Sequence, residues 1–570
     1  MDYWWRRHPG RLEFEIQQLK ESGIPCELDQ QALARGVAIL NIEASTAELG
    51  TLKLCVIFPA QYPLLPFEIE APDLSLPHHQ NPFDKNLCTL SNPSEHWEST
   101  MTVLQFVQEQ IPRVLKAGLS TEKNELEAPR GEPASNYFVS TGDSLVLFDS
   151  AWKIPTEVSE GTLAIGYNES PAPKLFRGAV LEVRDLHKNI LVSADPALQR
   201  IYGKKLTGRW VRFADHPASN EPHAILREAT SYSANLAKTK VPLKPGMVDV
   251  VGILFPEETE WRGKGDGWMF ICREGHSMKP NLILAKGGRG GRIDMNGRNP
   301  YLAGLADKKV AVFGLGCLGA PSALEFAKCG IGGIRLLDGD TVEAGTVVRW
   351  PFGLQTAAGK NKVGLLAGII DNDYPYTKVE VRYSCRIGIA NSTYTSSMHE
   401  DQVLETMYNG ADLVFDATAS PAINNVLATL AAERGIPYIF ISATPGMWGG
   451  RIVRIMPGGR KGCFRCYSDS VMTAEIPVPI SAGDDGYVEP PGCSAPTFTG
   501  THFDASVIAM GGVRMAVSTL LEGVEGGYPP TPWDVAVIDL RDESGNLIPP
   551  TWQTFALGKR PDCQQCGRPA

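Results

Sequence analysis

VAVFGLGCLGAPSALEFAKCGIGGIRLLDGDTVEAGTVVRW, residues 310–350, decides the reading of this chain. Its apolar run Val310–Phe313 predicts a strand that ends in a glycine loop, Gly314, Gly316 and Gly319. A strand running into GxGxxG lets the backbone turn tightly and approach phosphates seated at the N-terminus of the next helix. That helix is predicted from about Pro321 to Lys328, with the proline in its first turn. Ile334–Leu337 reads as the second strand. Asp338, at its end, falls roughly 20 residues beyond the glycines, where a ribose hydroxyl is held in such folds. A loop of this kind serves nicotinamide enzymes equally well, so the loop alone leaves two chemistries open.

Cations shift that choice. Asp338 and Asp340 are followed by Arg349 and Lys362. A nicotinamide site needs no cations beside its phosphates, whereas cleavage of ATP to AMP and pyrophosphate needs charge neutralised on the triphosphate. The row of groups points to adenylation of a carboxylate. Further on stand two CxxC pairs, Cys463/Cys466 and Cys563/Cys566. Their spacing lets both thiolates of each pair bind one tetrahedral zinc, and two pairs make a closed structural site that staples the C-terminal tail near Arg465. Disulfides are the alternative, but 12 cysteines with no visible N-terminal targeting segment argue for reduced thiols and a cytoplasmic setting. Between the pairs, Cys493 sits in PPGCSAPTFTG, where glycine and proline predict a loop. A loop thiol of lowered pKa is a nucleophile for an acyl-adenylate; the plainer alternative is a buried, inert cysteine.

Residues from about Gly290 onward resemble the ubiquitin-activating, ThiF/MoeB-type adenylating superfamily. The opening stretch, GKNKVGLL (359–366), ADLVFDATAS (411–420) and the paired CxxC carry the resemblance. It implies ribose binding by Asp338, triphosphate binding by Arg349 and Lys362, and Mg²⁺ near Asp340 or Asp416. It also implies thioester formation on Cys493 and a homodimer. An upstream arginine, Arg289, Arg292 or Arg298, would complete the ATP site. The chain departs from the family pattern at Thr346 (usually Asn), Trp350 (usually Gln) and Ala419 (usually the magnesium-side Asp).

At the other end, LKLCVIFPAQYPLLPFEIEAP (52–72) predicts strands over Thr51–Phe58 and Phe67–Ala71. LPHHQNPFDKNLCTLSNPSEHW (76–97) is irregular and polar and carries Cys88. Arg11–Glu21 and Val103–Val114 predict helices, the second with Leu104, Val107, Ile111 and Val114 at helical spacing. Helix, meander, reactive-looking loop and helix resemble a ubiquitin-conjugating domain, carried by Phe58-Pro59, Tyr62-Pro63, Pro66, His79-x-Asn81, Cys88 and Trp97. Gln80 replaces the proline of the family's His-Pro-Asn. The resemblance implies Cys88 as an acyl acceptor and Asn81 as the amide beside the oxyanion; the alternative is a non-catalytic partner-binding variant.

Together the halves form a relay in which fusion raises the effective concentration of the second thiol near the first. The expected organisation is a multidomain α/β chain. A ubiquitin-conjugating-like α+β domain spans 1–120, and a flexible connector 121–136 lies within the polar stretch Gly118–Asn136. A mixed or β-rich spacer domain follows over 137–286, then a Rossmann-like adenylating domain over 287–570. The spacer shows short apolar runs (Ser144–Phe148, Thr162–Ile165, Val248–Leu254, Trp268–Cys272) and isolated His216, His223 and His276. GGRGGR (287–292) reads as a boundary loop and a poor nucleic-acid signal.

The architecture resembles bacterial conjugating–activating fusions of anti-phage CBASS operons and of related ubiquitin-like operons. That resemblance implies ATP, Mg²⁺ and Zn²⁺ as cofactors. The implied partners are the C-terminal tail of a cGAS-like nucleotidyltransferase or a ubiquitin-like protein, and a deconjugating protease from the same operon. The net charge of −10 argues against nucleic acid as partner, and no apolar stretch of membrane-span length is visible. Sulfur-carrier activation with a passive N-terminal half is the competing expectation. A scaffold with a dead conjugating domain and a nicotinamide dehydrogenase are more distant ones.

Overall fold

The computed structural model describes the 570-residue chain except residues 1–2, 91, 123–129, 169–174, 237–242, 245–246, 276–280, 389–398, 460, 490–496 and 567–570. Cys493 and His276 lie outside the described residues. The chain divides into two compact units, Met1–Ala194 with Tyr202–Gly290, and Asp195–Ile201 with Gly291–Ala570.

The first unit begins with helices Trp4–Arg7 and Arg11–Glu21, then an antiparallel meander β1 (Cys26–Leu28), β2 (Ala38–Thr46), β3 (Gly50–Phe58) and β4 (Glu68–Glu70). AILNIEAST alternates by two along β2, so Ala38, Leu40, Ile42 and Ala44 face inward. They meet Leu12 and Leu19 from the second helix and Val103, Val107, Ile111 and Val114 from the helical run Val103–Leu119. Both predicted helices and both predicted strands are present. One buried polar knot ties this core. Glu15 accepts from the Tyr62 hydroxyl (2.5 Å) and the Val103 amide (2.8 Å), and pairs with Arg11 (2.8 Å). Burial pushes its carboxyl up, against the pull of these donors.

The same unit continues into eight strands: β5 (Leu145–Phe148), β6 (Glu160–Tyr167), β7 (Arg177–Asp185), β8 (Ile190–Ser193), β9 (Lys204–Arg212), β10 (Val248–Glu260), β11 (Gly263–Glu274) and β12 (Asn281–Arg289). They are ordered β5-β12-β11-β10-β9-β6-β7-β8, and β5 also pairs with β7. That extra pairing closes a seven-stranded barrel and leaves β8 as a flap on β7. Alternate residues of β10 serve two cores. Val250 and Leu254 join Trp210, Trp268 and Phe270, while Val251, Ile253 and Phe255 join Ile225 and Ala229 of helix Pro222–Tyr232. GGRGGR, read from sequence as a loop, contributes Gly287–Arg289 to β12. A Cβ on Gly287 would stand 2.1 Å from the Trp268 carbonyl oxygen, so only glycine fits there.

The second unit is built on β13 (Lys309–Phe313), β14 (Gly333–Leu337), β15 (Lys378–Tyr383), β16 (Leu413–Asp416), β17 (Tyr438–Ala443) and β18 (Gly449–Ile455). The pair β19 (Tyr487–Val488) and β20 (Thr497–Phe498) stands apart, and β21 (Val535–Arg541) and β22 (Leu547–Phe555) complete the set. The main sheet runs β15-β14-β13-β16-β17-β18-β21-β22. Its first five strands are parallel and the rest antiparallel. Val310, Val312, Ile334 and Leu336 face helices Gly319–Lys328 and Lys362–Asp373. Ala311, Phe313 and Leu337 face the opposite layer, which includes helix Pro421–Glu433. Helix His502–Leu520 is the one described helix long and apolar enough to cross a membrane; here it is a core helix, 72% buried over that window. Strand order reverses between β13 and β16, and ligands of open parallel sheets bind at the carboxyl ends beside such a reversal.

Candidate functional site

The glycine loop occupies that crevice, and its three glycines do different work. Gly314 has φ +80°, a conformation side chains resist, and a Cβ there would meet the Ala417–Thr418 backbone at 2.9 Å. A Cβ on Gly319 would lie 1.8 Å from the Gly314 carbonyl oxygen, whereas on Gly316 it would point into open space. Gly314 and Gly319 therefore let chain approach chain, and Gly316 leaves room for a ligand. Trp350 pins the loop by donating its indole N–H to the Leu315 carbonyl at 2.8 Å.

Asp338, Asp340 and Lys362 meet beside this loop. Asp338 accepts from the Leu315 amide (2.6 Å) and the Asp340 amide (2.7 Å), which ties the β14 end to the glycine turn. Lys362 opens its helix with Nζ 2.9 Å from Asp340 and 3.8 Å from Asp338. Arg386, beyond the end of β15, grips Asp340 from the other side at 2.8 Å. Burial raises the Asp338 carboxyl, with Lys362 pulling against it. Burial pushes Asp340 up too, but its bonds to Lys362 and Arg386 outweigh that and hold it low. Sequence reasoning passed over Arg386; its place just past a parallel strand's carboxyl end was the available signal.

Arg349 closes the segment Ala344–Arg349 and donates to the Phe498 carbonyl and, at 3.3 Å, to the Thr497 hydroxyl. It thus bridges the glycine-loop side of the crevice and β20, the strand that follows the cysteine segment. Asp416 is brought elsewhere. It is fully buried and accepts from the Thr418 amide (2.9 Å), the Thr418 hydroxyl (2.7 Å), Asn424 (2.8 Å) and Tyr438 (2.7 Å). Those four bonds occupy both its oxygens, while the Asp340 side chain is 42% exposed. Of the two magnesium candidates, Asp340 is the one that solvent reaches, although Lys362 and Arg386 engage its two oxygens. Of the upstream arginines, Arg289 pairs with Glu257 (2.8 Å), and Arg292 pairs with Asp195 (3.6 Å) and stacks over Tyr376. Arg298 is exposed and has no ion pair among the described residues.

The four cysteines converge. Sγ–Sγ separations are 3.6 Å for Cys463–Cys563, 3.4 Å for Cys466–Cys566 and 3.9 Å for Cys463–Cys466, and all four sulfurs lie within 4.8 Å of one another. Zinc with bonds of about 2.3 Å gives a tetrahedron of edge about 3.8 Å, so the cluster fits that ion.

In the first unit, Cys88 is exposed on the loop after β4. Its amide donates to the His79 carbonyl at 2.8 Å, and Asn81 Oδ1 accepts from the Phe83 amide at 3.0 Å, capping the turn between them. Gln80, the departure from His-Pro-Asn, is buried; it accepts from Leu76 N (2.8 Å) and donates to the Ala71 and Lys85 carbonyls (both 3.2 Å). It braces the loop through bonds that a proline's side chain lacks. Burial raises the Cys88 thiol and the nearby Glu132 carboxylate raises it further, while a hydrogen bond from Tyr137 pulls it down. Glu132 and Tyr137 went unread in the sequence, since nothing local marks them.

The glycine loop and the acid–lysine–arginine cluster lie within residues 294–524, which match the model of the ThiF family. Residues 20–146 match the model of Prokaryotic E2 family B. The chain therefore joins a ThiF-family domain to a prokaryotic E2-like domain, the composition of an activating and conjugating enzyme. Two uncharacterized proteins of Sinorhizobium fredii are similar end to end. With y4oA the identity is 28% over 99% of this chain and 98% of that protein. With y4qC it is 29% over 96% and 95%. The adenylyltransferase and sulfurtransferase uba4 of Emericella nidulans is 29% identical over 28% of this chain and 32% of its own length.

Proposed function

We propose that the chain uses ATP to adenylate the C-terminal carboxylate of a protein and relays the acyl group through two thioesters to an amine. The observation that carries this is the pairing, in one chain, of a ThiF nucleotide crevice with an E2-like loop that presents an exposed thiol, Cys88. Gly316 faces the phosphates, Asp338 binds the ribose, and Lys362 and Arg349 supply positive charge as pyrophosphate leaves. Arg298, exposed and without an ion pair among the described residues, is the arginine to reach a second copy's site in a homodimer. Asp340 would hold magnesium, which would supply charge neutralisation on the phosphates. Zinc, held by Cys463, Cys466, Cys563 and Cys566, supplies a structural cross-link.

Cys493 then displaces AMP to form the first thioester, Cys88 takes the acyl group from it, and Asn81 lies on the Cys88 loop as the amide for the oxyanion. The substrate class is the C-terminal tail of a cGAS-like nucleotidyltransferase or a ubiquitin-like protein, with anti-phage defence as the setting and a protease of the same operon as the reversing enzyme. The adenylyltransferase and sulfurtransferase activity of the uba4 relative supports a second reading, activation of a sulfur carrier.

A Cys88→Ser variant expressed with its neighbouring genes separates the two. Serine converts a short-lived thioester into a slower-hydrolysing oxyester, so intact mass should gain one protein-sized adduct that is absent in Cys88→Ala and Lys362→Ala. ATP–pyrophosphate exchange without any adduct would favour sulfur activation.

A further inference from the structure

The Cys88 loop is held by a segment that begins after the last helix of the conjugating fold. Glu132 pairs with the His79 ring through Nδ1 (2.9 Å) and accepts from the His79 amide (2.6 Å). His79 in turn holds the Cys88 amide through its carbonyl (2.8 Å). His79 is itself a non-glycine residue at φ +61°, and a backbone held there by its surroundings is a common mark of a working loop. Tyr137 closes the short helix Ala134–Tyr137, and its hydroxyl hydrogen-bonds the Cys88 sulfur.

The barrel anchors this segment firmly. Ser135 N donates to Glu257 of β10 (3.0 Å), and Phe138 packs on Phe83 of the loop (4.9 Å) and on Phe255 of β10 (5.8 Å). Glu132 and Tyr137 also line a cavity of about 330 Å³ together with His78, Gln80, His216 and Glu258. Across that cavity His78 pairs with Glu258 at 3.1 Å. A carboxylate and a phenol beside one exposed sulfur exceed what loop architecture needs.

Resting on the relay reading above, we propose that Glu132, braced by His79, and Tyr137 are catalytic residues for discharge of a Cys88 thioester to an amine. The amine nitrogen bonds to the thioester carbonyl carbon as the carbon–sulfur bond breaks. That bond's electron pair goes to the sulfur, which leaves as a thiolate stabilised by the Tyr137 hydrogen bond. The proton lost by nitrogen goes to Glu132 and from there to bulk solvent.

The full-length chain tests this without its natural substrate. The benzyl thioester of acetyl-glycylglycine loads Cys88 by thiol–thioester exchange, and Nα-acetyl-lysine methylamide discharges it, both followed by mass of the Cys88 peptide. Glu132→Gln should slow discharge on the order of 10²-fold. Iodoacetamide should at the same time alkylate Cys88 with a lower pH midpoint, since a repelling charge is gone. The charge acting on that sulfur is Glu132, whose partner His79 loses its raised pKa in the same variant; Asp84 acts on Tyr137, and the His78–Glu258 pair lies in the same cavity, both unaltered. Tyr137→Phe should slow discharge and raise the alkylation midpoint. Glu132→Ala should recover speed in formate, which the cavity admits; that recovery separates proton transfer from a folding role. Discharge of Glu132→Gln and Tyr137→Phe at the wild-type rate would overturn the assignment. A wild-type Cys88 that takes no acyl group, from the probe or from the native neighbours, would instead sink the relay reading and this assignment with it.

Discussion

Alanine at two glycines of one loop should give opposite results. At position 319 the added carbon would sit 1.8 Å from the Gly314 carbonyl oxygen, 2.8 Å from its carbon and 3.1 Å from Ala417 Cβ. Carbon–oxygen contacts below about 3 Å are essentially unknown, so the turn and the first helical turn must part by more than an ångström. Overpacking of that kind costs about 1–3 kcal/mol, and here two backbone segments rather than a side chain have to yield, so the upper end applies. At roughly 2–4 °C per kcal/mol for a domain of this size, Gly319→Ala should lower the melting transition of the second unit by about 6–12 °C. At position 316 the same carbon meets nothing within 4 Å. Gly316→Ala should melt like the wild type, while its affinity for Mg–ATP falls, because the methyl group fills phosphate space. Scanning calorimetry of the full chain reads the first effect and isothermal titration with Mg–ATP the second. A Gly319→Ala transition within about a degree of wild type, or a Gly316→Ala that binds Mg–ATP normally, would refute the division of labour assigned to these glycines.

Lys362→Ala should cut ATP–pyrophosphate exchange on the order of 10²-fold or more, because Nζ is the cation that faces both Asp338 and Asp340; near-normal exchange would remove it from the triphosphate site. Cys563→Ser should release zinc, measured by elemental analysis, and lower the melting temperature by loosening the tail; unchanged zinc content would contradict the cluster. The His79–Glu132 pair should give a pH-dependent tie. Its hydrogen bonds hold Glu132 low against the effect of burial, so that group's contribution is lost as pH falls through the depressed value. The bond to Glu132 raises His79 above 6.5, so that contribution is lost as pH rises through the elevated value. The melting difference between wild type and Glu132→Gln should therefore be larger near pH 6 than near pH 9; the reverse order would show that the pair is not charged.

The parts of this molecule that were legible are those written in local pattern. Val310–Phe313, the glycine loop and Ile334–Leu337 appear as β13, the turn and β14, each strand one residue longer at its start. The helix begins at Gly319 rather than Pro321, since the last glycine is already its first residue. The two CxxC pairs meet as spacing alone suggests. The barrel was only half legible: Val248–Leu254 and Trp268–Cys272 extend to Val248–Glu260 and Gly263–Glu274. Both faces of β10 are buried through Phe255, which hides the period of two, and its exposed end looks like loop. Helix Pro222–Tyr232 was missed because its apolar face is narrow. What sequence could not supply was pairing across distance. Asp416 looks as open as Asp340 until Asn424 and Tyr438 are seen to saturate it. Arg349 reaches Thr497 and Phe498, and Glu132 reaches His79, through contacts that no spacing rule encodes.

Closure of the barrel also sets an order of assembly. β5 pairs with β12, so Leu145 waits for Lys286 before the ring can shut. Contacts of such long range form late and slowly, while the β1–β4 meander is complete within the first seventy or so residues. During synthesis the Cys88 loop therefore emerges with its own strands in place but without the β10 surface on which Ser135 and Phe138 rest. A nascent chain arrested before Val248 would carry the thiol without the β10 residues that support the Glu132–Tyr137 segment.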